Sequence, residues 1–166
     1  MDADLLFYRK RFALILLLLF STVGCDQVTK MFARTNLSGP LNFLGGFIRF
    51  QHSENPGAFL SFGEKLPPQW RFLIFTVGVA IILIFALWYL WKKTDWDHWT
   101  TLALTLIVAG GVGNLIDRAL KGTVTDFVVI GWGWAKTGIF NIADMAILSG
   151  GLLLIAMSFK KNTINL

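Results

Sequence analysis

The stretch IFNIADMAILSGGLLLIAMSF, residues 139–159, carries one acidic side chain, Asp144, in an otherwise almost wholly apolar run. A run of this length crosses a hydrocarbon core of ~30 Å as a helix, because an α-helix rises about 1.5 Å per residue. Three further apolar runs of similar length occupy residues 12–33, 70–91 and 96–116. The sequence therefore predicts four transmembrane spans in one polytopic membrane domain covering residues 1–166.

The composition favours the same class of protein. Hydrophobic residues make up 55% of the chain and charged residues only 15%, more apolar side chain than a soluble domain of this size can bury. The net charge is +5, but the Lys and Arg residues lie at the edges of apolar runs and form no single patch, which argues against a nucleic-acid partner. Trp88, Trp91, Trp96 and Trp99 stand at span ends, as tryptophans do at membrane interfaces.

Short basic clusters predict the orientation. Residues 9–11, 92–93 and 160–161 all lie on one side of a four-span path, and their density, rather than the raw count of Lys and Arg, marks that side as cytoplasmic. Both termini are then cytoplasmic, and the connections at about residues 34–69 and 119–138 face the opposite side, in contact with membrane lipids.

Those two connections contain β-prone segments. LNF, FIRFQH and AFLSF in the first connection are short and aromatic, and Gly and Pro turn signals separate them. TVTDFVVIGWGW in the other has the same character. The predicted fold is membrane all-α, with four transmembrane helices and a small periplasmic β-sheet built from the first and third loops.

Polar side chains within the spans are costly, so each requires an explanation. Asp26 and Lys30 share a helix face at i, i+4 spacing, and a buried ion pair is as good an explanation for them as a role at a substrate site. Gly110, Gly111 and Gly113 permit close backbone approach, as do Ala146 and Gly150 in the last span.

An up-down-up-down path brings the polar residues to one membrane face. The end of span one, the end of span three and the start of span four meet there, beside the β-prone loop. The residues that converge are Asp26, Lys30, Asn114, Arg118, Asp126, Asn141 and Asp144, with His52, Asn55 and Gly57 on the loop. Asp117 lies near the same helix face as Asn114 and Arg118, at offsets of three and four. Convergence of this kind predicts a site at that face.

Elimination points to carboxylate chemistry. Cys25 has no evident histidine partner, because His98 lies on the opposite side of the membrane and His52 is on a loop with no placed partner. One Cys with two His residues is too few ligands for a typical zinc site, so neither a metal nor a cofactor is expected. A close pair of aspartates remains. One member can stay protonated and polarise a carbonyl while the other deprotonates water.

Five segments in order resemble the motif series of bacterial lipoprotein signal peptidase, the aspartic membrane peptidase family also called signal peptidase II. They are DQVTK (26–30), NPGAF (55–59), GGVGNLIDR (110–118), VTDF (124–127) and FNIAD (140–144). The resemblance implies that Asp126 and Asp144 are the catalytic dyad. It also implies that Asn114, Arg118 and Asn141 hold the substrate and orient the dyad, and that Asp26, Lys30, Asn55 and Gly57 line or shape the site.

The family resemblance also implies a substrate and a place of action. Its members cleave diacylglyceryl-modified prolipoproteins just before the lipidated cysteine, in the bacterial inner membrane and near its periplasmic face. They have a four-helix fold with a periplasmic β-cradle, need no metal and bind the cyclic peptide antibiotic globomycin. Each of these properties is an expectation for this chain.

Three alternatives remain open from the residues alone. TVGC at 22–25 has the form of a lipobox, which would make the chain a lipoprotein, although Thr22 stands where a bulky aliphatic is usual. A small transporter or channel would explain intramembrane polar groups, but these stop near one face. A non-catalytic membrane subunit would use the aspartates only for packing.

Overall fold

The computed structural model describes residues 2–58, 62–93 and 97–164. The interfacial role predicted for Trp96 lies outside these residues, as do Phe59 of the second motif and most of the AFLSF segment. Four described helices are long and apolar enough to cross a membrane: α1 (Asp2–Asn36), α2 (Pro68–Lys92), α3 (His98–Lys121) and α4 (Ile142–Ile164). With the sheet below, they confirm the predicted fold class.

The helices begin and end at recognisable signals. The Asp97 carboxylate caps α3 by accepting hydrogen bonds from the backbone N–H groups of Trp99 (2.9 Å) and Thr100 (3.0 Å). Gly122, at φ 76°, ends the same helix in the left-handed conformation that glycine adopts most readily. Pro68 occupies the first turn of α2, which is π-helical between Phe72 and Gly78.

A four-stranded antiparallel sheet lies where α1 and α3 end and α4 begins. Its strands are β1 (Leu41–Phe43), β2 (Ile48–Asn55), β3 (Val124–Trp132) and β4 (Ala135–Lys136), in the order β1-β2-β3-β4. The first and third loops therefore pair as predicted, through β2 and β3. Ser53 stands opposite Asp126 in this pairing, and the register shifts between Phe50 and Ser53.

Strand β3 also pairs with the residue just before α4. Phe127 and Val128 both donate backbone hydrogen bonds to the Phe140 carbonyl oxygen (3.0 and 2.9 Å), and Phe140 donates back to Val128 (2.9 Å). These bonds fix the start of α4 against the strand that carries Asp126. The sheet therefore sets the position of the last membrane helix relative to β3.

Close helix packing depends on glycines of α3 and α4. A Cβ atom added at Gly110 would collide with the Ala143 carbonyl oxygen, and one at Gly150 would lie 2.5 Å from the Ala103 carbonyl oxygen. The backbones of α3 and α4 are thus in close contact at Gly110 and at Gly150, as small residues allow in membrane helices. Helix α3 is the most buried of the four.

Neighbouring glycines of α4 provide a matched test of this packing. Gly150→Ala should lower the unfolding temperature of the detergent-solubilised protein, since overpacking costs about 1–3 kcal/mol. Gly151→Ala should not lower it, because its added methyl group meets no atom within 4 Å and alanine favours a helix. Equal unfolding temperatures for the two variants would show that the α3–α4 contact is looser than described.

Candidate active site

The Asp126 carboxylate is buried on strand β3, with only 3% of the residue exposed. Its Oδ1 accepts a hydrogen bond from Asn141 Nδ2 at 2.6 Å, and its Oδ2 accepts one from Asn55 Nδ2 at 3.1 Å. Asn141 precedes α4, and Asn55 ends β2. Residues far apart in sequence therefore hold this carboxylate from both sides.

The Asp144 carboxylate lies in the first turn of α4 and is partly exposed. Its Oδ1 accepts from Asn114 Nδ2 of α3 at 2.8 Å, and its Oδ2 accepts from the Asn141 backbone N–H at 3.2 Å. The Asp144 N–H donates in return to Asn141 Oδ1 at 2.9 Å. This reciprocal pairing satisfies backbone donors at the helix start, where a negative charge is also favoured by the helix dipole.

Asn141 therefore binds both carboxylates, Asp126 through its side chain and Asp144 through its backbone. Its Nδ2 also lies 3.1 Å from Asn114 Oδ1, so the two amides and the two acids form one connected network. The structure thus brings Asp126 and Asp144 together with Asn114 and Asn141, and the third predicted asparagine, Asn55, also reaches Asp126.

Burial first, and then the nearby charge of Asp144, raise the pKa of Asp126 from 3.8 to about 6. The hydrogen bonds from Asn55 and Asn141 oppose this rise. Because a pair of interacting acids loses its protons in coupled steps, the first ionisation disfavours the second. Asp126 thus keeps its proton to a higher pH than an ordinary aspartate does.

Lys30 lies behind this network and is fully buried. Its Nζ is 2.7 Å from an Asp26 oxygen, 2.8 Å from Asn114 Oδ1 and 3.5 Å from an Asp117 oxygen. Because Lys30 donates to the side-chain oxygen of Asn114, Oδ1, the side-chain nitrogen Nδ2 faces Asp144 and donates to it. The ammonium group thereby orients a donor to the carboxylate without reaching the open surface itself.

Asp26 connects α1 to the start of α4. It is fully buried, and its Oδ1 accepts a hydrogen bond from the Ala143 backbone N–H at 2.9 Å. A Cβ atom at Gly113 would lie 2.6 Å from Asp26 Oδ2, so the glycine of the third motif leaves room for this carboxylate. Asp26 and Lys30 therefore form the ion pair considered from their spacing, and they support the site from within the bundle.

Asp117 has a larger part in the site than the sequence predicted. Its Oδ2 accepts a hydrogen bond at 3.0 Å from the backbone N–H of Thr125, the residue before Asp126. Its Oδ1 lies 3.1 Å from Lys121 Nζ and 3.4 Å from Arg34 Nη1. Asp117 thus fixes the strand residue that precedes Asp126. The sequence signal was its i, i+3 spacing from Asn114, but only the fold shows that β3 returns to meet it.

The turn formed by residues 55–57 (Asn-Pro-Gly) adjoins the site, to which Asn55 and Arg118 connect it. Asn55 Oδ1 accepts from the Gly57 N–H at 2.9 Å, and Arg118 Nη2 donates to the Gly57 carbonyl oxygen at 2.9 Å. Arg118 Nε is buried and has no hydrogen-bond partner within the described ranges. Arg118 therefore connects the end of α3 to the loop and retains a donor that its surroundings leave unused.

His52 lies beside the site and contacts neither acid of the pair in the hydrogen bonds described. Its Nε2 is 3.0 Å from Glu54 Oε1, and Glu54 also accepts from the hydroxyls of Thr123 and Thr125. Burial raises the pKa of Glu54, but these hydrogen bonds and the charge of Lys121 outweigh it and lower the pKa overall. Glu54 is therefore an ionised acceptor that ties β2 to β3.

The chain is similar to lipoprotein signal peptidases in sequence and in structure. The family model described as signal peptidase (SPase) II matches residues 18–160. A lipoprotein signal peptidase of Streptococcus pneumoniae is 31% identical in an alignment that covers 94% of this chain and 98% of the relative. The lipoprotein signal peptidase of Shewanella sediminis is 37% identical in an alignment that covers 81% of this chain and 76% of the relative. A bacterial membrane enzyme solved by the in meso method at 2.3 Å superposes with a TM-score of 0.78 at 29% identity, covering 92% of this chain and 91% of the other.

The buried ammonium gives a direct test of the supporting network. Lys30→Met should destabilise the protein by about 3–5 kcal/mol, because it leaves the buried Asp26 carboxylate without its counter-ion. Lys121→Met removes a partly exposed partner of Asp117 and should cost about 1 kcal/mol or less. The comparison is made from unfolding temperatures in one detergent, and a Lys30→Met loss no larger than that of Lys121→Met would contradict the assigned role.

Proposed function

The chain belongs to the signal peptidase II family, and from that premise we propose that it is an aspartic endopeptidase whose dyad is Asp126 and Asp144. The family membership establishes a peptidase that removes signal peptides from prolipoproteins. The observation that supports the aspartic mechanism is the position of Asn141, which hydrogen-bonds to both carboxylates at once. The dyad requires no metal or cofactor.

The two acids have different environments, and this difference suits different roles. Asp126 is buried with a raised pKa, so it holds the shared proton and donates it to the carbonyl oxygen of the scissile bond. Asp144 is partly exposed and can reach water. In the proposed mechanism its carboxylate takes a proton from the water that attacks the carbonyl carbon.

The reaction then proceeds by acid–base steps alone. The attacking water oxygen forms a bond to the carbonyl carbon, and the resulting tetrahedral diol is held by hydrogen bonds within the site. As the C–N bond breaks, the leaving nitrogen takes the proton that Asp144 accepted, and Asp126 regains its own from the diol. The enzyme returns to its starting protonation with one carboxylic acid and one carboxylate.

The neighbouring side chains assist these steps. Asn114 and Asn141 keep the acids in position, and Arg118 and the loop of Asn55 and Gly57 contact the substrate backbone where it enters. Asp26 and Lys30 act from behind, on α4 and on Asn114. The carboxylates lie at the bundle end that carries the sheet, and we place this end at the periplasmic face of the inner membrane, with both termini in the cytoplasm, in accord with the basic clusters at the other end.

This location matches a substrate of mixed character. The substrates proposed are prolipoproteins carrying a diacylglyceryl cysteine, cleaved just before that residue. The acyl chains and the apolar signal helix both remain in membrane lipid, so the bond to be cut is held near the hydrocarbon boundary. A segment next to that bond must be extended to expose its carbonyl, and the adjoining sheet offers backbone for such a segment.

Conservative substitution tests the dyad. Asp126→Asn and Asp144→Asn should each lower cleavage of a diacylglyceryl prolipoprotein by at least about a thousandfold, because the amide can neither hold the shared proton nor accept one from water. The purified protein is incubated with the substrate, and both products are identified by mass spectrometry. Globomycin should inhibit the wild-type reaction.

Asp97→Asn is the matched control for these variants. It makes the same chemical change at the opposite end of α3, and asparagine caps a helix about as well as aspartate, so activity should be retained. All variants must accumulate in the membrane to wild-type level. Retained activity in either dyad variant would refute the mechanism, whereas cleavage at a different bond by the wild type would refute only the proposed specificity.

A further inference from the structure

A large groove lies between α1 and α2, at the end of the bundle away from the aspartates. Its volume is about 930 Å³, within the range of sites that hold small organic ligands. Arg11 lies on its wall, fifteen residues before Asp26 in the same helix, which corresponds to roughly 22 Å along the axis. The groove is therefore separate from the candidate active site.

Most of the groove lining is apolar. Its basic end, which we call the mouth, is where Arg9, Arg11 and Lys92 lie. The apolar lining includes Phe12, Ile15, Leu16, Leu19, Leu87 and Trp91. Three cationic side chains, Arg9, Arg11 and Lys92, also line it. A ligand that fits this pattern combines an anionic head with a long apolar portion.

Arg11 is held in place at the mouth. Its Nη2 donates to the carbonyl oxygens of Lys93 (2.7 Å) and Leu90 (3.5 Å) at the end of α2. Its Nη1 is shielded from solvent and has no hydrogen-bond partner within the described part of the chain. Because a buried donor without an acceptor is costly, a guanidinium in this position is suited to bind a further anionic oxygen.

Aromatic rings beside the mouth indicate that it lies at the membrane–water interface. The Phe12 and Trp91 rings meet edge to face with centroids 4.8 Å apart, and Lys92 Nζ lies 5.0 Å from the centroid of the Trp88 ring. Tryptophans and lysines gather at the level of the lipid headgroups. The cationic groups of the groove thus stand where a phosphate would be found, above the acyl chains.

We propose that this groove is a binding site for an anionic phospholipid, with the phosphate at Arg11 and an acyl chain between α1 and α2. Basic pockets between transmembrane helices bind anionic headgroups in this manner. A signal peptide is a poorer occupant, because its own N-terminal region is positively charged. A second copy of the chain would bring the same cationic mouth against itself.

Competitive lipid binding tests the proposal on the purified full-length protein. Native mass spectrometry would follow retention of phosphatidylglycerol and phosphatidylcholine with matched acyl chains, offered together. The wild type should retain phosphatidylglycerol at least about tenfold more strongly, the size of effect expected for one charge-assisted hydrogen bond. Wild-type protein without this preference, or a dimer that excludes lipid, would overturn the proposal.

Two variants of equal charge locate the site. Arg11→Gln should remove the preference, whereas Lys10→Gln should retain it, because Lys10 is exposed and lies outside the groove lining. An equal loss in both variants would indicate general electrostatic attraction and would contradict a built site. The readout is independent of peptide cleavage, so it stands or falls separately from the proposed peptidase mechanism.

Discussion

Two carboxyl groups that lie close together away from bulk water need hydrogen-bond donors to hold them in place. Asn141 donates a hydrogen bond to each of them. Its side chain binds Asp126 of β3 and its backbone binds Asp144 of α4. Phe140, one residue earlier, is fixed to β3 by three backbone hydrogen bonds. The junction between the sheet and the last membrane helix is thus the structural element from which the site geometry follows.

The charges behind this junction are costly to bury and are compensated locally. Lys30, Asp26 and Asp117 are all fully buried, and each has a charged partner together with further hydrogen bonds. Such an arrangement stabilises a protein little compared with apolar packing, but losing one member leaves an uncompensated charge. Its benefit here is orientational, because it fixes the Asn114 amide, the start of α4 and the strand residue next to Asp126.

Much of this could be predicted from the sequence because membrane helices have a strong signal. Apolar run length gave four spans, and up-down topology brought Asn114, Asn141 and Asp144 to one end. The pairing of the first and third loops followed from their β-prone composition. Helix α1, by contrast, begins at Asp2, well before the apolar run at residue 12, because a helix can continue beyond the hydrocarbon core on the basis of backbone hydrogen bonds alone.

Contacts between residues far apart in the chain could not be predicted from the sequence patterns. Helical spacing paired Asp26 with Lys30 but gave no sign that Asp26 also binds the Ala143 N–H, 117 residues away. The role of Asp117 depends on the chain turning back at Gly122, between α3 and β3, and the periodicity of the sequence does not predict that turn. In the sequence the cationic clusters indicate only orientation, whereas the position of Arg11 against the end of α2 gives one of them the role in lipid binding proposed above.

If Asp126 and Asp144 share one proton across Asn141, the infrared absorption of the purified protein should report its loss as the pH rises. We expect a protonated carboxyl band that disappears with a midpoint near the Asp126 pKa of about 6, since a raised pKa keeps the proton on the acid to higher pH. The band should be absent in Asp126→Asn and unchanged in Asp97→Asn. A spectrum in which Asp126→Asn removes no titrating carboxyl band between pH 4 and 8 would contradict the shared proton.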